Sequence, residues 1–152
     1  MSRRLATWAF VACGVWLLAL GFYFMWMRPP LLPEDLRYMG TTLAQVQATL
    51  PGLERWLGQV FTVLGGFMAG AGVLTLFVAL SAAAPRPRGT TQALALSGLL
   101  TVGLMSATNF ALHSDFRWLL VVPALLWLAG LVLLVAGKRK EEGPIREGTS
   151  TT

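Results

Sequence analysis

The feature that most constrains this chain is where its charges are missing. Asp, Glu, Lys and Arg are absent from residues 5–27, 56–85, 89–114 and 118–137. Each stretch is apolar and reaches the roughly 20 residues an α-helix needs to cross about 30 Å of hydrocarbon at 1.5 Å per residue. The composition agrees, with 55% hydrophobic and 12% charged residues, far from the balance of a water-soluble domain. The 152 residues therefore read as an all-α integral membrane protein, an antiparallel bundle of four transmembrane helices. Residues 1–137 form a single membrane domain with spans over about 5–27, 57–80, 91–112 and 116–137. One long connection, two turns and a tail remain, too little for a water-soluble core.

The net charge of +5 invites a nucleic-acid reading, but its distribution argues for membrane topology. With the N-terminus inside the cell, the inner segments hold Arg3, Arg4, Arg86, Arg88, Lys138, Arg139, Lys140 and Arg146 against Glu141, Glu142 and Glu147. The outer segments hold Arg28, Arg37, Arg55 and Arg117 against Glu34, Asp35, Glu54 and Asp115, and cancel. All the excess positive charge lies on one side, as the positive-inside rule requires, where it meets anionic headgroups. The expected location is a bacterial inner membrane, multi-pass, with both termini cytoplasmic. Trp26, Trp56 and Trp118 fall at the outer boundaries and Trp8 near the inner one, where indole rings prefer to sit. The first span follows a basic Ser2-Arg3-Arg4 start but is too long for a secretory signal and has no A-x-A site after it, so it reads as a retained helix.

Between spans one and two, Pro33-Glu34-Asp35 has the composition of a helix start, with proline early and acids over the positive end of the dipole. Leu36, Met39, Leu43, Val46 and Leu50 follow at spacings of three and four, and Pro51-Gly52 ends the pattern. This predicts an external amphipathic helix over about 34–50. Three roles fit it: a structural helix across the surface, a lid over a cavity, or a face that docks a partner. The tail, 138–152, is charged and then rich in Gly, Ser and Thr, and is expected to be disordered and cytoplasmic.

Small residues mark where helices can approach. Gly58, Thr62, Gly66 and Gly70 recur every four residues in span two and include a GxxxG, with Gly65 and Gly72 beside them. Such a groove admits another helix backbone, from another span of this chain or from a second copy. Gly103 and Ala107, with Ala111, form a second small ridge on span three, and the expectation is that spans two and three pack there. Pro123 lies in the outer half of span four and is expected to kink it.

Ser106, Asn109 and His113 share one face near the outer end of span three, with Asp115 and Arg117 just beyond. One reading is a polar pocket that opens outward, with His113 titrating or binding a ligand. The other is that Asn109 bonds a neighbouring helix as glue while Ser114 or Asp115 caps span four. Trp16 and Trp127 lie near mid-membrane. They pack in the bundle, face lipid, or wall a hydrophobic ligand cavity between spans one and four. Catalysis is not expected: the chain has one histidine, no HExxH or G-x-S-x-G pattern, and no carboxylate inside a span. The single Cys13 excludes an internal disulfide and reads as an apolar packing residue. No spacing supports a metal site and no cofactor is implied.

The leading expectation is a small non-catalytic membrane protein that associates with itself, with a larger membrane complex, or with a lipid. The alternative is an oligomeric small-solute channel or carrier lined by the polar face of span three. A third reading is an enzyme or binder for a lipid-soluble ligand. Expected partners are membrane lipids, a second copy or another membrane protein, and no nucleic acid.

Overall fold

The computed structural model describes residues 2–81 and 89–142. Helices α1 (Ser2–Trp26), α2 (Pro33–Met39), α3 (Leu43–Thr49) and α4 (Leu53–Leu80) are followed by a third long helix in three parts. These parts are α5 (Thr90–Gly98), a π-helical turn (Leu99–Gly103) and α6 (Leu104–Ala111), and α7 (Arg117–Glu142) completes the chain. Four helices are long and apolar enough to cross a membrane: Arg3–Trp26, Leu53–Leu80, Thr90–Ala111 and Arg117–Gly137. The basic segment 82–88, expected to form the turn between spans two and three, and residues 143–152 of the tail lie outside the described residues. The helical part of the chain continues past Gly137 to Glu142, into the segment expected to be disordered.

The helices pack in a row. α4 lies against α1, α1 against α7, and α7 against the third long helix. α4 and that helix share no substantial contact among the described residues, so the expected packing of spans two and three does not occur. Large apolar side chains on the outward faces are exposed, among them Phe67, Leu74 and Phe77 of α4, as lipid contact requires. Trp8, Trp26, Trp56 and Trp118 are exposed too.

Glycine sets the α1–α4 contact. A Cβ on Gly21 would stand 2.6 Å from the Ala69 nitrogen and the Gly65 oxygen, and one on Gly72 would stand 2.8 Å from the Gly14 oxygen and the Leu18 nitrogen. Gly14 and Gly21 therefore face Gly72 and Gly65 backbone to backbone, the approach that only small residues permit. This is a different ridge from Gly58, Thr62, Gly66 and Gly70. A Cβ on Gly58, Gly66 or Gly70 would meet nothing within 4 Å, and Thr62 is exposed, its hydroxyl donating to the Gly58 carbonyl at 3.0 Å. At 100° per residue, Gly65 and Gly72 point well away from Gly66 and Gly70.

The other interfaces use large side chains. Phe10 of α1 meets Trp127 of α7 edge to face, centroids 5.4 Å apart, and Gly130 leaves room for the Phe10 ring. Ala6, Cys13, Leu17, Ala79, Leu94, Val102 and Leu134 complete the core. On the third long helix the buried positions are Leu94, Gly98, Val102 and Ser106. A strict period of four drifts by about 40° per step on a 3.6-residue helix. The π-turn at Leu99–Gly103 widens the local turn and takes up part of that drift, keeping the row on α7. Gly103 and Ala107 lie one residue off it: Gly103 meets only atoms of its own helix, and Ala107 is exposed.

The stretch expected to form one amphipathic helix holds two short ones. Gly40 ends α2 at φ +65°, a left-handed conformation that glycine adopts freely. Thr42 then starts α3 through a reciprocal box, its hydroxyl accepting from the Gln45 N–H at 3.3 Å and its own N–H donating to the Gln45 side chain at 3.0 Å. Of the anticipated apolar stripe, Val46 is buried, while Met39, Leu43 and Leu50 are exposed.

Candidate functional site at the loop end of the bundle

The polar chemistry of the chain gathers where the 27–52 connection crosses the ends of the long helices. Arg28 follows α1, and Pro29-Pro30 turns the backbone away. Its guanidinium lies 3.7 Å over the Phe61 ring centroid and 5.3 Å from that of Phe24. It donates to the Pro29 carbonyl at 2.9 Å and pairs with Asp35 at 3.2 Å. Its side chain is only 9% exposed, so the aromatic face and the carboxylate together replace water around the charge. Asp35 also accepts the Leu32 N–H at 2.8 Å, which fixes the start of α2.

Glu34 reaches across to the turn between α6 and α7, 80 residues away in sequence. The Ser114 hydroxyl lies 3.1 and 3.2 Å from its two carboxylate oxygens, and the Asp115 N–H donates to it at 2.7 Å. Ser114 is buried and its oxygen accepts the Phe116 N–H at 3.2 Å, so one hydroxyl links α2 to the start of α7. Arg37 pairs with Asp115 in the open, both side chains about three-fifths exposed, and such a pair contributes little.

Between α2, the start of α4 and the α6–α7 turn is a half-open cavity of about 320 Å³, at the small end of the range for ligand sites. Leu57 and Phe61 of α4 wall it on one side and Leu112 on the other, with Met39 and Tyr38 of α2 above. Two carboxylates, Glu34 and Asp35, line it together with Ser114, and no basic side chain does. α4 and the third long helix, apart elsewhere, border one space here. A second cavity of about 520 Å³ lies between α5 and α7, bordered by Ala95, Leu131, Val132, Val135 and Thr91, with no charged group on its walls.

The residues singled out in the sequence are dispersed. Ser106 is buried and its hydroxyl donates to the Leu120 carbonyl at 2.9 Å. Asn109 donates to the Met105 carbonyl of its own helix at 2.9 Å. His113 is exposed at φ +52°, on the turn between α6 and α7, and the polar face anticipated from spacing ends there. Asp115 alone of this set joins the loop cluster. Trp127 is 4% exposed and donates to the Leu94 carbonyl at 2.9 Å, its indole filling the notch left by Gly98. Trp16 is half-buried on α1. The Cys13 thiol donates to the Pro123 carbonyl at 3.4 Å.

Sequence reasoning gives Ser114 a capping role, reads Glu34 and Asp35 as a helix start with no spacing that joins them to His113 and Asp115 as metal ligands, and passes over Arg28. The helix-start pattern at Pro33-Glu34-Asp35 marked two of them for capping, but nothing in the sequence places Glu34 beside Ser114. No protein-family model matches the chain, and neither a curated protein nor a solved structure is significantly similar to it.

Proposed function

We propose that this is a non-catalytic membrane protein that associates with a second copy of itself through the outward face of α4. The observation that carries the reading is the empty space beside Gly58, Gly66 and Gly70. Among the described residues α4 has one substantial neighbour, α1, and its second small-residue ridge can admit another helix backbone. In this reading the four long helices cross a bacterial inner membrane in alternating directions, with both termini cytoplasmic and the loop end outside. The opposed pairing of Gly14 with Gly72 and of Gly21 with Gly65 supports alternation, and the charge asymmetry supports the orientation.

Crosslinking in native membranes tests it. Gly66→Ile with Gly70→Ile is expected to lower the dimer fraction about tenfold at unchanged expression, the scale of losing close helix packing. An unchanged dimer fraction, or a wild-type chain that crosslinks only to another protein, contradicts it.

A channel built from several copies is the second reading. Exposed Ser97 and Thr108 on the third long helix favour it, because a lipid-facing helix gains nothing from them. Against it, the buried hydroxyls of Thr75 and Ser106 are each bonded to backbone carbonyls. Flux in liposomes that is lost in Asn109→Leu would promote this reading.

A further inference from the structure

The cavity at the loop end supports an inference separate from helix association at α4. We propose that it holds the headgroup of a phospholipid bearing a primary ammonium, such as phosphatidylethanolamine, with Glu34 as the group that selects it.

The location suits a lipid. Leu57 and Phe61 lie near the start of α4 and Leu112 follows the end of α6, so the cavity sits at the level where the long helices end and headgroups begin. α4 and the third long helix make no substantial contact among the described residues, so they do not close off the space below the cavity to an acyl chain.

The charge on its walls specifies the headgroup. Glu34 takes its hydrogen bonds from the Ser114 hydroxyl and the Asp115 N–H. These are neutral donors, and no ion pair joins Glu34 to a basic residue among the described residues. Asp35, by contrast, is neutralised by Arg28. Arg37 is held outside by Asp115. Arg117 is turned to the His113 and Ser114 carbonyls, at 3.4 and 3.2 Å. The half-open, mostly apolar cavity therefore presents one carboxylate with no ion-pair partner among the described residues, a setting that favours a cation over an anionic headgroup. An ammonium with N–H donors meets a carboxylate by charge-assisted hydrogen bonds, which a quaternary ammonium cannot form. Tyr38 on the same wall carries a phenolic O–H that can donate to the lipid phosphate.

The test is native mass spectrometry of the full chain released from nanodiscs of equal phosphatidylethanolamine, phosphatidylcholine and phosphatidylglycerol. Retention of phosphatidylethanolamine over each of the others by about fivefold is expected, the scale of one partly shielded ion pair. Glu34→Gln keeps an acceptor for Ser114 and Asp115, so α2 stays tied while the preference falls to near unity. Leu57→Trp fills the cavity and lowers retention of all three lipids. Gly66→Ile, which addresses association, leaves the lipid profile unchanged. Equal or greater retention of phosphatidylcholine or phosphatidylglycerol by the wild-type chain overturns the proposal, as does a preference that survives Glu34→Gln.

Discussion

The contact between α1 and α4 and the contacts around α7 are built on opposite principles. Between α1 and α4, side chains are removed: Gly14, Gly21, Gly65 and Gly72 bring two backbones into direct contact. Around α7, side chains are added and carry the bonding. Trp127 and Ser106 each cross between helices to a backbone carbonyl, and Phe10 packs edge-on against the indole. Lipid is as apolar as leucine, so neither interface can rely on the hydrophobic effect that joins helices in water. One gains dispersion contacts through proximity, the other gains hydrogen bonds and aromatic packing. The difference teaches where each tolerates change: a methyl group at Gly21, Gly65 or Gly72 meets backbone that cannot step aside, while at Gly98 or Gly130 it meets an aromatic ring that can move, at the loss of one bond or one ring contact.

The largest effect is expected at the first interface. Gly65→Leu places atoms on the Gly21 oxygen and the Met25 nitrogen, both within 3 Å of a Cβ. Nothing short of helix separation relieves a clash with backbone, and a loss of about 4 kcal/mol or more is expected in detergent unfolding. Gly66→Leu, one position away, is expected to leave unfolding of the single chain unchanged, since nothing lies within 4 Å there. Equal effects of the two would erase the distinction between the faces of α4.

Gly98→Ala comes next. Its Cβ would overlap the Trp127 ring, so the indole must move and its bond to Leu94 breaks. About 2–3 kcal/mol is expected, from overpacking and a lost buried hydrogen bond. Restoration of stability in Gly98→Ala with Trp127→Leu would show that the ring, and not the π-turn beside it, is what needs glycine.

The smallest effect is expected for Ser106→Ala, which removes the hydroxyl donated to Leu120. Hydrogen bonds between membrane helices average about 0.6 kcal/mol and reach about 1.7, and a change within that range should appear in the same unfolding assay. A loss like that of Gly65→Leu would mean that the hydroxyl, more than close packing, holds the row together.

The four long helices are legible in the sequence because the bilayer imposes one strong rule: no charge for about 20 residues. The break in the connecting segment was legible as well. Gly40 is the common residue beyond a helix end, and Thr42 with Gln45 spells a capping box; the continuous spacing of apolar residues masked both. Pairing was not legible. Span two carries small residues on two faces, and composition cannot say that Gly65 and Gly72 meet α1 while Gly66 and Gly70 stay open. The small-residue ridge at Gly103 and Ala107 also missed the buried row of the third helix, which runs one residue away through Val102 and Ser106. The candidate site was hidden for a related reason. Glu34 and Ser114 are brought together only by the order of helices in the row, and a capping pattern explained Glu34 locally without it.

The unequal faces of α4 are the claim on which the row and the open docking ridge both depend. A spin-label scan along α4 tests it directly, in a Cys13→Ala background and in nanodiscs that each hold one chain, reading collision with oxygen dissolved in the lipid. High accessibility is expected at Phe67, Gly70, Leu74 and Phe77, and low accessibility at Thr75 and Ala79, repeating every 3.6 residues or so. Uniform accessibility along α4, or low values at Phe67, Gly70 and Leu74 with high values at Thr75 and Ala79, would contradict it.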